Sequence, residues 1–104
     1  MPSLREKQSR FVRMVGLLIE YAHLQGYELT LGDAYRDPRC PYGHPTSLHR
    51  ERLAIDLNVF KDGVYLSGPG MYTELGEFWE SIGGSWGGRF DDDNHFSLSH
   101  RGMA

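Results

Sequence analysis

The amino-acid sequence predicts an α+β domain, a small antiparallel sheet with helices packed on one face. Three observations carry that expectation. Apolar residues recur at helical spacing in two stretches, Phe11 to Ala22 and Leu75 to Ile82. Leu53 to Phe60 alternates as a strand does, with Leu53, Ile55, Leu57 and Val59 forming one wholly apolar row. Lys61-Asp62-Gly63 then signals a tight reversal into Val64-Tyr65-Leu66.

Taken in order, the first element is a helix from about Ser3 to Gln25. Ser3 and Glu6 have capping-box spacing, Phe11, Val15, Leu18, Ile19 and Ala22 lie on one stripe, and Gly26 is placed to end it. Tyr27 to Arg36 reads as extended, with Leu29 and Leu31 pointing one way and Thr30, Gly32, Ala34 and Arg36 the other. Pro38, Pro41, Gly43 and Pro45 make Asp37 to Thr46 a loop. The Leu53–Phe60 strand and its hairpin follow. A second helix is expected from Thr73 to Ile82, capped by Thr73, with Leu75, Phe78, Trp79 and Ile82 on its stripe. Gly83-Gly84 stops it, Gly87-Gly88 marks a turn, and His95 to Ser99 alternates again.

Composition excludes several classes. The 104 residues suit one small domain, and 39 % hydrophobic with 24 % charged residues is too apolar for a disordered tail. The single cysteine, Cys40, allows no intrachain disulfide and no Cys-rich zinc module. The longest apolar stretch, Val12 to Ala22, is broken by Arg13, Gly16 and Glu20, so no integral membrane segment is expected. Met1 to Arg10 is charged, and no apolar signal-peptide core follows it. A net charge of −3 without a basic cluster argues against nucleic acid as partner.

Chemistry gathers on His49, Asp56 and His95, with Asp92 three residues before the last. Asp56 interrupts a strong β run and falls opposite the apolar row, on the sheet's polar face; His95 stands in the same relation to Phe96 and Leu98. Two strands of one sheet could therefore present both side chains together, with His49 joining through a bend between Arg50 and Leu53. Two imidazoles, one carboxylate and an open position for water form the ligand set of a catalytic zinc site. A bend at Asp93-Asn94 would let Asp92 act as general base on the metal-bound water. On spacing alone these residues also suit ordinary solvated side chains, and Asp91-Asp92-Asp93 an acidic turn, so both readings stay open at this point.

Ser47-Leu48-His49, Ala54-Ile55-Asp56 and Asp92-Asp93-Asn94-His95-Phe96 together resemble the zinc peptidases that cleave peptidoglycan stem peptides. That family groups D-alanyl-D-alanine carboxypeptidases and dipeptidases with L-alanyl-D-glutamate endopeptidases, including bacteriophage endolysins. Trp86-Gly87-Gly88-Arg89-Phe90 resembles the Trp-Gly-Gly segment of the endolysin-like branch, and Ala34-Tyr35-Arg36 a segment carrying an arginine near the active site. The resemblance extends from about Leu29 to Leu98. It implies a hedgehog/D-Ala-D-Ala-peptidase-like α+β fold. It also implies one zinc ion held by His49, Asp56 and His95, with Asp92 as general base. Arg36 would stabilise the oxyanion or bind a substrate carboxylate, and Ser47 would support the site by hydrogen bonding. Two departures stand out. Arg52 occupies the family's glycine position in Ser-x-His-x-x-Gly-x-Ala-x-Asp, and the base is Asp92 where many relatives have Glu, which fits the endolysin-like branch.

The leading expectation is thus a single catalytic domain over residues 1–104, a bacteriolytic phage endolysin acting as a monomer on peptidoglycan peptide. It would reside in the host cytoplasm before release to the cell wall, or in the virion. A D-alanyl-D-alanine carboxypeptidase is the alternative within the same chemistry. A non-catalytic, zinc-fastened wall-binding or structural protein is the alternative outside it, and a metallonuclease is disfavoured by the acidic balance. Arg36 could instead pair with Asp33 or Asp37. His23, His44, His100 and Cys40 are read as surface or loop residues, and Trp86 as either packing beneath the site or lining its cleft.

Overall fold

The computed structural model describes residues 3–32, 52–67, 70–90 and 92–99. Helix α1 (Leu4–Leu24) begins at Ser3, whose hydroxyl accepts the Glu6 amide at 3.1 Å while the Ser3 amide donates to the Glu6 carboxylate at 3.1 Å. This is the predicted capping box. Gly26, at φ +90°, turns the chain after the helix as a residue without a Cβ can. The buried stripe is Phe11, Met14, Leu18 and Ala22. Met14 replaces Val15 and Ile19 of the expected set, which are only partly buried. The i, i+4 row from Met14 through Leu18 to Ala22 is the one that faces the sheet.

Strand β1 (Glu28–Leu31) pairs antiparallel with β2 (Ala54–Lys61), Glu28 opposite Phe60 and Leu31 opposite Leu57. Leu31 is 68 % exposed, so the expected inward row of β1 stops at Leu29. The remainder of the predicted Tyr27–Arg36 strand beyond Gly32, and the Pro-rich loop, lie outside the described residues. Asp62 (φ 53°) and Gly63 (φ 78°) form the tight turn into β3 (Val64–Tyr65), both in the left-handed conformation that a two-residue hairpin loop requires.

Helix α2 (Thr73–Ser81) starts one residue earlier than the capping expectation for Thr73. Tyr72 occupies the cap position and makes no side-chain capping bond. Its ring turns inward instead, 3 % exposed, and its hydroxyl accepts the Val59 amide at 3.0 Å. Burial of the ring outweighs what a polar cap would contribute here. After α2 come β4 (Ser85–Trp86), one turn of 3-10 helix (Gly87–Phe90) and β5 (His95–Ser97).

β2 is the centre of the sheet. β1 lies on one edge; β5 and β3 share the other, β5 facing Ala54–Asp56 and β3 facing Phe60–Lys61. β4 lies outside β5. The apolar row Leu53, Ile55, Leu57 and Val59 is buried as predicted, against Leu18 of α1 and Leu75 and Trp79 of α2 in one cluster. Trp79 is at its centre, edge-on to Phe11 (5.8 Å) and Phe96 (5.9 Å). Its indole N–H is shared between the Ser97 (2.9 Å) and Ser85 (3.1 Å) carbonyls, so the largest buried side chain leaves no polar atom unsatisfied. Tyr21 of α1 stacks on Phe78 of α2 at 4.1 Å, closing the helical layer.

Candidate active site

The polar face of the sheet carries the site. Asp56 on β2 stands directly opposite His95 on β5. The Leu57 amide donates to the Asn94 carbonyl at 2.9 Å, in the rung next to that pair. Asp56 and His95 are therefore a non-hydrogen-bonded pair, the kind in which antiparallel strands bring side chains closest. His95 Nδ1 lies 3.3 Å from Asp56 Oδ1, and the two side chains are 14 % and 19 % exposed. The sequence alternation that put both on the polar face is borne out.

Asp92 reaches the same imidazole by a turn. Three residues of extended strand would have put it on the opposite face. Instead the His95 amide donates to the Asp92 carbonyl at 3.1 Å, folding Asp93 and Asn94 into the reversal expected there. Asp92 Oδ2 comes within 3.9 Å of His95 Nδ1, while its carboxylate remains 59 % exposed. The same imidazole nitrogen thus faces a largely buried carboxylate and a solvent-accessible one. The first can ligate a cation; the second can exchange protons with solvent or substrate.

The donor chemistry fits a metal. Two ligands bonded to one zinc at about 2.0–2.2 Å, at tetrahedral angles, have donor atoms roughly 3.3 Å apart. The observed Nδ1–Oδ1 separation matches that spacing, and it is long for a charge-assisted hydrogen bond, about 2.7–2.9 Å. The remaining expected ligand, His49, lies outside the described residues, as do Arg36 and Ser47. Among the described residues no three His, Cys, Asp or Glu side chains form a metal-binding group.

Beside Asp92 is a cavity of about 220 Å³, walled by Tyr65, Ser67 and Tyr72 as well as Asp93 and Asn94. Sequence reasoning singled out none of the first three for the site, because they come from β3 and the approach to α2, where no motif or periodicity marks them. Burial pushes the Tyr72 hydroxyl up to about 12, so it stays protonated and can only act as a hydrogen-bonding group. Trp86 packs beneath the site rather than lining the cavity. It is 5 % exposed and faces Phe96 across the sheet, on the helix side.

Residues 42–98 match a peptidase family described as D-alanyl-D-alanine carboxypeptidase. Among curated proteins, none matches the chain. The family match takes in more than half of the chain and spans Ser47, His49, Asp56, Trp86, Asp92 and His95, whereas Arg36 lies before it. No helix among the described residues is long and apolar enough to cross a membrane. With Asp56, His95 and Asp92 converging inside the matched segment, the chain belongs to the D-alanyl-D-alanine carboxypeptidase family of peptidases.

Proposed function

We propose that the chain is a zinc-dependent peptidase that cleaves peptidoglycan stem peptides, of the L-alanyl-D-glutamate endopeptidase type found among phage endolysins. The observation that carries this reading is the meeting of Asp56, His95 and Asp92 at the β2–β5 junction. His49, Asp56 and His95 would hold one zinc ion. Bound there, zinc would lower the pKa of a coordinated water toward neutrality and polarise the scissile carbonyl. Asp92, exposed beside the imidazole, takes the proton from the attacking water and returns it to the leaving amine. Arg36 stabilises the developing oxyanion or holds a substrate carboxylate, and Ser47 orients the site by hydrogen bonding. A lysin of this kind acts as a monomer. It collects in the host cytoplasm, or travels in the virion, before meeting the wall.

A D-alanyl-D-alanine carboxypeptidase is the second reading, favoured by the description of the matched family. Mass spectrometry of digested muropeptides separates the two, since one cuts after L-alanine and the other frees D-alanine. Asp92→Ala is expected to keep its zinc and lose at least about 100-fold in rate, the lower end of what a general base contributes. His95→Ala is expected to lose zinc as well. Wild-type hydrolysis of purified peptidoglycan by Asp92→Ala would falsify the assignment of the base. Bound zinc with no product from the wild type would instead indicate a non-catalytic wall protein.

A further inference from the structure

The three carbonyls of the turn that carries the site are each held by a different element. That of Asp92 accepts the His95 amide, that of Asn94 accepts the Leu57 amide of β2, and that of Asp93 accepts the Trp86 indole N–H at 2.8 Å. Only the middle bond comes from a side chain. The ring that makes it cannot slide. A Cβ at Gly76 of α2 would come within 2.0 Å of the indole, and one at Gly88 within 2.2 Å, so bare backbone approaches the indole from both glycines. The Arg89 guanidinium lies over the ring at 5.1 Å and is itself held by a two-pronged ion pair with Glu80 of α2. The next residue, Gly87, completes the fit: its carbonyl accepts the Asp92 amide at 2.9 Å, and a Cβ there would strike the Asp92 carbonyl.

From this geometry we infer that Trp86 is a positioning residue for the reaction. Its indole N–H pins the Asp93 peptide from the helix side of the sheet and so sets where the Asp92 carboxylate stands relative to His95. The bond ties a catalytic turn to α2, through a ring clamped by Gly76, Gly88 and Arg89. The inference rests on the reading of Asp92 as general base. Loss of the bond allows the turn to shift while β5 remains paired, and displacements on the order of 1 Å can cost about 100-fold in rate.

The test compares Trp86→Phe, which keeps an aromatic ring but has no N–H, with Asp92→Ala and with Phe11→Leu, a core change remote from the turn. Trp86→Phe is expected to lower kcat by about 10- to 100-fold. KM should change less than kcat and zinc content should be unchanged, because Tyr65, Ser67 and Tyr72 of the cavity wall and the ligands Asp56 and His95 lie outside the turn. Phe11→Leu should lower the melting temperature and leave kcat unaltered, separating positioning from general loss of stability. If Asp92→Ala is inactive while Trp86→Phe retains wild-type kcat, the positioning role is overturned and the base assignment stands. If Asp92→Ala is active, it is the reading of the site that fails. Equal loss of kcat in Phe11→Leu and Trp86→Phe also overturns the role. Should Trp86→Phe not fold, hydrogen exchange of the wild-type Trp86 indole decides: strong protection supports the bond, and exchange at the rate of a free indole overturns it.

Discussion

Arg52 adopts φ +57°, a left-handed backbone that glycine enters freely and other L-residues do not. It occupies the position at which the family pattern it resembles has glycine, two residues before the strand that presents Asp56. The backbone here adopts a conformation suited to glycine although the residue is arginine. Replacing Arg52 with Gly removes the side chain and the steric penalty together, while Ala removes the side chain and retains the penalty. Arg52→Gly is therefore expected to be more stable than Arg52→Ala by about 1 kcal/mol, read from urea unfolding midpoints at unchanged slope. Equal stabilities would mean that the left-handed turn is not occupied in solution. Asp56 makes the complementary point on the strand itself. A carboxylate amid Ile55, Leu57 and Val59 is tolerated because it stands on the far face, paired with His95.

At the scale of elements, the two helices are fastened differently. α1 has a complete capping box, whereas α2 begins at a buried tyrosine and is anchored by Trp79 and by the Glu80–Arg89 pair. The Ser3 amide, with the Ser3 hydroxyl, holds the Glu6 carboxyl below its ordinary range, and the Arg89 guanidinium does the same for Glu80. A carboxyl depressed in the folded state stabilises above its ordinary range. That stabilisation is lost as pH falls through the lowered folded value. Ser3→Ala is expected to cost about 1 kcal/mol at neutral pH. Glu6→Ala is expected to lower stability at neutral pH as well, and its gap from wild type should narrow as the solution is acidified, because the carboxylate that accepts the Ser3 amide is then titrated away. Thermal melts of wild type and Glu6→Ala at neutral and acidic pH provide the check, and a pH-independent gap would show that Glu6 takes no part in the cap.

For the whole molecule, the core is small and the site is built across its sheet, so a metal shared by His49, Asp56 and His95 would join segments distant in the chain. Ligand linkage then gives the folded state about 2.7 kcal/mol when free zinc is 100-fold above its dissociation constant. Chelation should accordingly lower the melting temperature by several degrees, and added zinc should restore it; an unchanged melt would argue against a bound ion. Much of the architecture was legible beforehand. The capping box, the alternating row of β2, the Asp-Gly turn and the polar placement of Asp56 and His95 all follow from local periodicity and turn chemistry, which act between near neighbours. Their order in the sheet does not. Whether Met14 or Val15 faces inward and why Tyr72 rather than Thr73 occupies the cap of α2 depend on surfaces contributed by distant segments, whereas the return of Asp92 to the His95 face follows the local bend expected at Asp93-Asn94. The role of Trp86 is of the same kind. Its indole has meaning only where Gly76, Gly88, Arg89 and the Asp93 carbonyl meet around it. By itself the sequence determined which face Asp56 and His95 occupy, because alternation assigns faces strand by strand. Only the tertiary structure decided which strands became neighbours and how closely Asp56, Asp92 and His95 approach, because strand pairing and close packing join residues nearly forty positions apart.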